Sequence, residues 1–325
     1  MQTLRKKLRV GHRPRIILIL LAIMPLLAGC RKDVSPNTGG GIEYVQPPMI
    51  PSAAPATGSP NVPEYIVFAG DTIRFDRDDM YERMDRELIA FTYSHSLSVL
   101  MLKRAPKYLP QIEPILERCG IPDDFKYLMV IESNLDPRSY SSAGAAGLWQ
   151  FTQATGKQYG LEINSNVDER YNIEKATVAA CRYLRDAYDK YGDWLTVAAS
   201  YNAGQNRITK EKARQRQNKA TDLWLPAETS RYIFRILAAK MMFTAPEQFG
   251  FDVRPEQKYR PIPCSDTIVV TRPISDLAAF ALRHGITYLE LRTANPWLLE
   301  QQLKNQSRRE YRIAIPDKTK NRSSR

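Results

Sequence analysis

Between Asp123 and Pro137 one ionisable residue stands where the pattern calls for an apolar one. Phe125, Leu128 and Met129 share a face if the segment is helical, and Glu132 falls one turn beyond them on the same stripe. A carboxyl group set among apolar side chains loses hydration, which disfavours its ionised form and raises its pKa. An acid that keeps its proton near neutral pH is what general-acid chemistry requires. The plainer alternative is a glutamate that caps the next turn or reaches to water from the helix end, as most helical glutamates do.

Two further segments carry groups that could accompany such an acid. Ser141 and Ser142 open a run of small residues ending in Gly147-Leu148-Trp149-Gln150 and Phe151. Small residues let backbone approach a ligand closely, and an aromatic ring beside an amide is a common way to hold a sugar. The structural alternative is a tight loop between helices with Trp149 in the core. Tyr201-Asn202-Ala203-Gly204 places a phenol and an amide just before a helix-ending glycine, where they can face a cleft. After residue 29 the only histidines are His95 and His284, far apart and without zinc-ligand spacing. A metal mechanism and a His-based triad are both poorly supported, and no cofactor is expected.

Taken in order, Glu132-Ser133 with Pro137, then Gly147-Leu148-Trp149-Gln150, then Val167-Asp168-Glu169-Arg170, then Tyr201-Asn202-Ala203-Gly204 and last Pro226-Ala227-Glu228 with Arg231-Tyr232 form a pattern. It resembles the goose-type lysozyme and lytic transglycosylase family, in particular the membrane-bound lytic murein transglycosylase D branch, well over residues 78 to 250 and more loosely beyond. The resemblance implies a lysozyme-like helical fold that cleaves the MurNAc-GlcNAc β-1,4 bond of peptidoglycan, with Glu132 as acid and then base. It implies that Ser141, Gly147 and Gln150 bind glycan near the scissile bond, and that Tyr201 with Asn202 orients the glutamate or the muramic acid. Ser133, counted with the substrate-binding residues, would stabilise the loop after the catalytic helix. Glu228, Arg231 and Tyr232 would form a supporting shell of structural character. Trp149 stands where many members carry Met, which leaves the neighbouring subsite's shape open, and Ser200 replaces the usual Ala. Most glycoside hydrolases need two carboxyl groups. A lytic transglycosylase can instead use the substrate's own C6 hydroxyl, giving a 1,6-anhydro sugar. A hydrolytic muramidase on the same fold would need a partner for Glu132, with Asp136 and Asp168 as candidates. A silent peptidoglycan-binding scaffold is the non-enzymatic reading, disfavoured because Glu132, Gln150 and Tyr201 are all present.

These side chains require a mainly helical body. The chain divides into a signal segment (1–29), a linker (30–63), a helical extension (64–122), a catalytic core (123–250), a small α+β module (251–316) and a basic tail (317–325). Residues 66 to 75 could form a short hairpin, and helical spacing begins at Asp78, with Met80, Met84, Leu88 and Phe91 in register. Pro106, Pro110 and Pro114 are expected to punctuate shorter helices, and Asp123 to cap the helix bearing Glu132. Further helices are expected over 173 to 191, 195 to 201 and 228 to 243. Strand-like residues at 266–271 and 311–315 bracket two short helices, a pattern weakly similar to a degenerate glycan-binding LysM unit. A purely structural appendage is the alternative, and Trp297 and Leu298 could pack on the helical body.

The first 29 residues carry all the marks of an export signal: six Lys and Arg, an apolar run from Ile16 to Leu27, then Ala28 and Gly29. That run is too short to span a hydrocarbon core of roughly 30 Å. Leu27-Ala28-Gly29-Cys30 looks like a lipobox, so Cys30 is the expected lipidation site, with plain secretion as the alternative. A membrane anchor through Cys30, at the outer membrane facing the periplasm, is the expected location, and the Pro-, Gly- and Ser-rich residues 31 to 63 would hold the folded part away from it. Removing the signal takes six of the 47 basic residues and none of the 35 acidic ones, so the net charge falls from +12 to near +6. That weakens any nucleic-acid reading. Cys119, Cys181 and Cys264 are odd in number and imply no disulfide framework; Cys119 and Cys181 read as small buried hydrophobes.

Overall fold

The computed structural model describes residues 58–306 and 308–317, which belong to the unit Ala53–Arg325. The signal segment, Cys30, most of the linker and the tail from residue 318 lie outside the described residues. Among the described residues no helix is long and apolar enough to cross a membrane.

The hairpin pairs β1 (Tyr65–Phe68) with β2 (Asp71–Arg74) through a turn at Ala69 and Gly70, both at positive φ. The left-handed Ala69 is held by its N–H, which donates to the Asp124 carboxylate at 2.7 Å. α1 (Asp78–Tyr93) buries the expected Met80, Met84, Leu88 and Phe91. α2 (His95–Arg118) then runs unbroken through Pro106, Pro110 and Pro114, against the expectation of shorter helices. Four-residue spacing puts all three missing donors on one stripe, and Pro110 and Pro114 on it are exposed. Solvent can satisfy the freed carbonyls while the buried stripes keep their hydrogen-bond ladder.

α3 (Phe125–Ser133) carries Glu132 and is buried almost throughout. Asp123 does not cap it, because its carboxylate pairs with Lys126, and Asp124 is taken by Ala69 and Lys240. The helix stops at two left-handed residues, Asn134 and Leu135. α4 (Gln153–Gln158), α5 (Ile173–Tyr191), α6 (Trp194–Ala203), α7 (Gln205–Gln215) and α8 (Ala227–Thr244) complete the body. Thr152, Asn172 and Asp193 cap α4, α5 and α6 with side-chain oxygens, and Gly192 closes α5 in the left-handed conformation. α3 packs against α8, which also packs on α1 and α6, so the Glu132 helix lies within the main core.

The C-terminal module is a β-α-α-β unit. β3 (Cys264–Val270) pairs antiparallel with β4 (Tyr311–Pro316), and α9 (Leu277–Arg283) and α10 (Tyr288–Ala294) lie between them in sequence. Asp276 caps α9, and Thr287 and Glu290 form a reciprocal capping box on α10. Its core joins Leu277, Phe280, Leu291, Trp297, Leu298 and Ile313 to Val167 of the helical body. Both readings of Trp297 and Leu298 therefore hold together: they belong to the module and they dock it. The fold is mainly α with a small α+β module.

Candidate active site

Glu132 is partly buried near the end of α3, and the Tyr232 hydroxyl of α8 donates a hydrogen bond to its Oε1. Burial pushes the Glu132 pKa up to about 7, against the Tyr232 hydrogen bond and the Arg235 charge, which favour the carboxylate; nearby Glu228 adds to the rise. Tyr232 is buried, and burial beside Glu132 holds its own pKa well above the usual phenol range, so it stays a donor. Glu228, Tyr232 and Arg235 recur at helical spacing along α8, which aims an acid, a phenol and a cation toward the same carboxyl group. Glu228 itself is exposed and receives a long hydrogen bond, 3.4 Å, from Asn202 Nδ2, while Thr229 Oγ1 donates to Asn202 Oδ1 at 2.8 Å.

Burial, and after it the nearby Glu132 charge, hold the Tyr201 pKa well above the usual phenol range, but its hydroxyl donates to the Trp149 carbonyl at 2.7 Å. The glutamate is thus oriented by Tyr232, expected only to support, and Tyr201 instead ties α6 to the Gly147–Gln150 loop. Arg231 points the other way, donating to the buried Glu87 of α1 at 2.8 and 3.1 Å. It joins α8 to α1, in keeping with a structural role.

The loop from Ser139 to Phe151 is held by its own polar groups. Ser141 accepts from Ala145 N–H on Oγ at 3.0 Å, and Gln150, at φ 49°, donates through Nε2 to the Gly147 and Ser139 carbonyls at 2.8 and 3.2 Å. Both side chains are partly exposed, and Gln150 Oε1 has no partner among the described residues. Gly147 is a correction. At φ 77° it is buried, and a Cβ there would sit 2.0 Å from the Arg170 carbonyl oxygen, so the close approach it permits is to backbone and not to ligand. Trp149 is fully buried and donates from Nε1 to Thr177 Oγ1 at 2.9 Å, which removes it from any sugar and makes it core. Ser133 is likewise buried, with its hydroxyl on the Met129 carbonyl at 3.2 Å; it offers no surface to a substrate and secures the helix end.

Neither expected second carboxylate is brought to Glu132. Asp168 is sealed in a bidentate pair with Arg170 at 2.7 to 3.2 Å, both side chains 6% exposed. Asp136 pairs with Arg104 at 3.3 Å and caps the Arg138 N–H. The acid that does approach is Glu228. Arg170 also donates to the carbonyls of Gly144 and Phe151 at 2.7 and 3.1 Å, so the Asp168–Arg170 pair clamps the loop from beneath, a function no sequence spacing announced. Among the described residues no group of three or more His, Cys, Asp or Glu could hold a metal ion. Chemically, the arrangement is one proton-holding acid, steered by a phenol, beside a loop presenting an unused amide oxygen and a serine.

Residues 119–224 match the family model for the Transglycosylase SLT domain, and residues 266–319 match that for the Soluble lytic transglycosylase C-terminal LysM-like domain. The first match ends before α8, so the Tyr232–Glu132 contact lies partly outside it. The chain is 29% identical over 236 residues, 70% of its length, to Membrane-bound lytic murein transglycosylase D of Escherichia coli. It spans about half the length of that curated relative. Peptidoglycan transglycosylase gp16 of Escherichia phage T7 is 39% identical over 79 residues, 24% of this chain and 6% of that one. Among solved structures, Lytic Transglycosylase Slt of Pseudomonas aeruginosa covers 47% of this chain and 26% of its own at 19% identity and a TM-score of 0.35.

Proposed function

We propose that this chain, which carries a transglycosylase SLT domain and a LysM-like C-terminal domain, is a lytic transglycosylase of peptidoglycan. The observation that carries the reading is Glu132: a carboxyl group that burial keeps protonated near neutrality, fixed by Tyr232 in the main core. In the proposed reaction Glu132 protonates the oxygen of the MurNAc-GlcNAc β-1,4 bond as that bond breaks. The C6 hydroxyl of the same muramic acid then attacks C1, and Glu132 takes back that hydroxyl's proton, leaving a 1,6-anhydro sugar. One group serves as acid and base in turn, so the sealing of Asp168 costs the mechanism nothing. Ser141 and the free Gln150 Oε1 would meet the sugar next to the cut, with Asn202 and the exposed Glu228 on the opposite wall and Tyr201 fixing the loop between. The catalytic unit would run from 123 to 250 on the support of 64–122. Cys30 would carry the acyl chains that hold the enzyme to the outer membrane, facing the periplasm.

Glu228, charge-coupled to Glu132, favours one alternative, a hydrolytic muramidase in which it activates water. Mass spectrometry of digested sacculi separates the two: anhydro ends support transglycosylation, whereas products heavier by one water would overturn it. Glu132→Gln should fold and lose nearly all glycan cleavage, because the amide keeps the shape and has no proton to transfer.

A further inference from the structure

A cleft of about 1250 Å³ runs between the helical body and the C-terminal module, beginning at the Asp136-Pro137-Arg138 loop that follows the Glu132 helix. Parts of α2 and α5 line one wall, and α10 and β4 the other. The charges on these walls do not cancel. Asp136, Glu162, Glu169 and Glu310 are each taken by a cation of the same cleft, namely Arg104, Arg309, Lys175 and Arg312. Lys107, Arg138 and Arg182 are left without an ion pair among the described residues; the one unpaired acid lining the cleft is Glu174, and Asp186, one turn beyond Arg182, is bonded to the Tyr159 side chain. Among the described residues Arg292 donates to the Tyr288 hydroxyl and the carbonyls of Leu299 and Glu300 and has no ion pair. Lys107 shows the consequence, for burial and the adjacent Arg104 both push its pKa down. Surplus cations gathered in a concave, partly desolvated site repel one another until a ligand brings negative charge.

We propose that this cleft binds the carboxylate-bearing peptide branches of the peptidoglycan strand being cut, so that the enzyme distinguishes peptide-substituted glycan from bare glycan. The inference rests on the transglycosylase reading above. N-acetylated sugars are neutral and give a cluster of guanidinium and ammonium groups nothing to pair with. A short peptide with free carboxylates does, and arginine recognises a carboxylate through two parallel hydrogen bonds. The place fits as well: the cleft opens where the chain leaves the catalytic helix, so branches on a strand seated at Glu132 would lie beside it.

The test uses the full mature chain and the double variant Lys107→Gln/Arg182→Gln, whose positions lie away from Glu132 and its loop. The probe is the free stem tetrapeptide, measured by titration calorimetry. The native protein should bind it in a salt-sensitive manner, and the variant about ten-fold more weakly. With peptide-bearing sacculi as substrate the variant's KM should rise by about the same factor, while peptide-free strands should be cut equally by both proteins. The inference is overturned if the native protein does not bind the tetrapeptide, if the variant binds it as well, or if KM rises equally on bare strands. Failure of the native protein to cut either substrate, peptide-bearing sacculi or bare strands, would count against the transglycosylase reading alone, since the tetrapeptide titration decides the cleft by itself.

Discussion

Glu132 is raised from an ordinary 4.5 to about 7, above all by burial, and this sets the sign of two effects. Its folded pKa lies above its unfolded one, so the stability tied to this group is complete below about pH 4.5 and is lost as the pH climbs through 7. The gap corresponds to about 3 kcal/mol. Glu132→Gln, which cannot ionise, should gain up to about that much in urea denaturation above pH 7 and almost nothing near pH 4; equal effects at both would contradict a buried acid. Tyr232→Phe removes a hydrogen bond that favours the carboxylate, so the descending limb of the kcat/KM profile should move to higher pH. A limb that stays put would show that Tyr232 does not set the acid's pKa. Glu132 was readable in the sequence because a carboxylate broke an apolar stripe, a local and one-dimensional signal. Its partnership with Tyr232 was not, since 100 residues separate them and only the packing of α3 on α8 joins them. Gly147 and Trp149 are ambiguous in the sequence for a related reason. Small and aromatic residues serve a sugar or a core equally well, and burial alone tells which.

The loop that would meet the sugar depends on elements that never touch it. Arg170 lies in a short 3₁₀ turn, Glu169–Tyr171, and links Asp168 to the carbonyls of Gly144 and Phe151. Arg170→Gln would leave Asp168 buried without its counter-charge, at a cost of about 3 to 5 kcal/mol. A denaturant midpoint within error of wild type would disprove the clamp. Gly147→Ala should lose a similar amount, because the added methyl group collides with the Arg170 carbonyl, and glycan cleavage should fall with it. Helices with a clear apolar stripe, such as α5, were legible to the residue. α7 is not legible in the sequence, because Ile208 is its only buried side chain and a polar helix leaves no periodic trace. The unbroken α2 went unrecognised because three prolines read as three breaks, whereas their common outward stripe exists only once the helix is formed.

The two modules meet through Asn166, which stands in for a missing strand. Its backbone carbonyl accepts from Leu299 N–H at 2.9 Å, Nδ2 donates to the Gln302 carbonyl at 2.7 Å, and Oδ1 accepts from Lys304 N–H at 2.9 Å. Asp168 N–H adds a bond to the Trp297 carbonyl, beside the Val167–Leu298 bridge. Such a seam fixes the C-terminal module against the segment that carries the Asp168–Arg170 clamp, so docking and loop geometry are mechanically one unit. It also holds open the cleft, whose walls belong to both modules. In the sequence Asn166 carries no signal of this role, because an asparagine between loops reads as a turn and its partners lie more than 130 residues away. Asn166→Ala strands the Gln302 carbonyl and the Lys304 N–H at a part-buried seam, which should cost about 1 to 3 kcal/mol. Because Val167 belongs to the module's core, calorimetry should show body and module melting together in the native chain, with Asn166→Ala lowering or splitting that transition. Two separate transitions in the native chain would mean that the module is tethered and not docked, and the walls of the cleft would then have no fixed spacing.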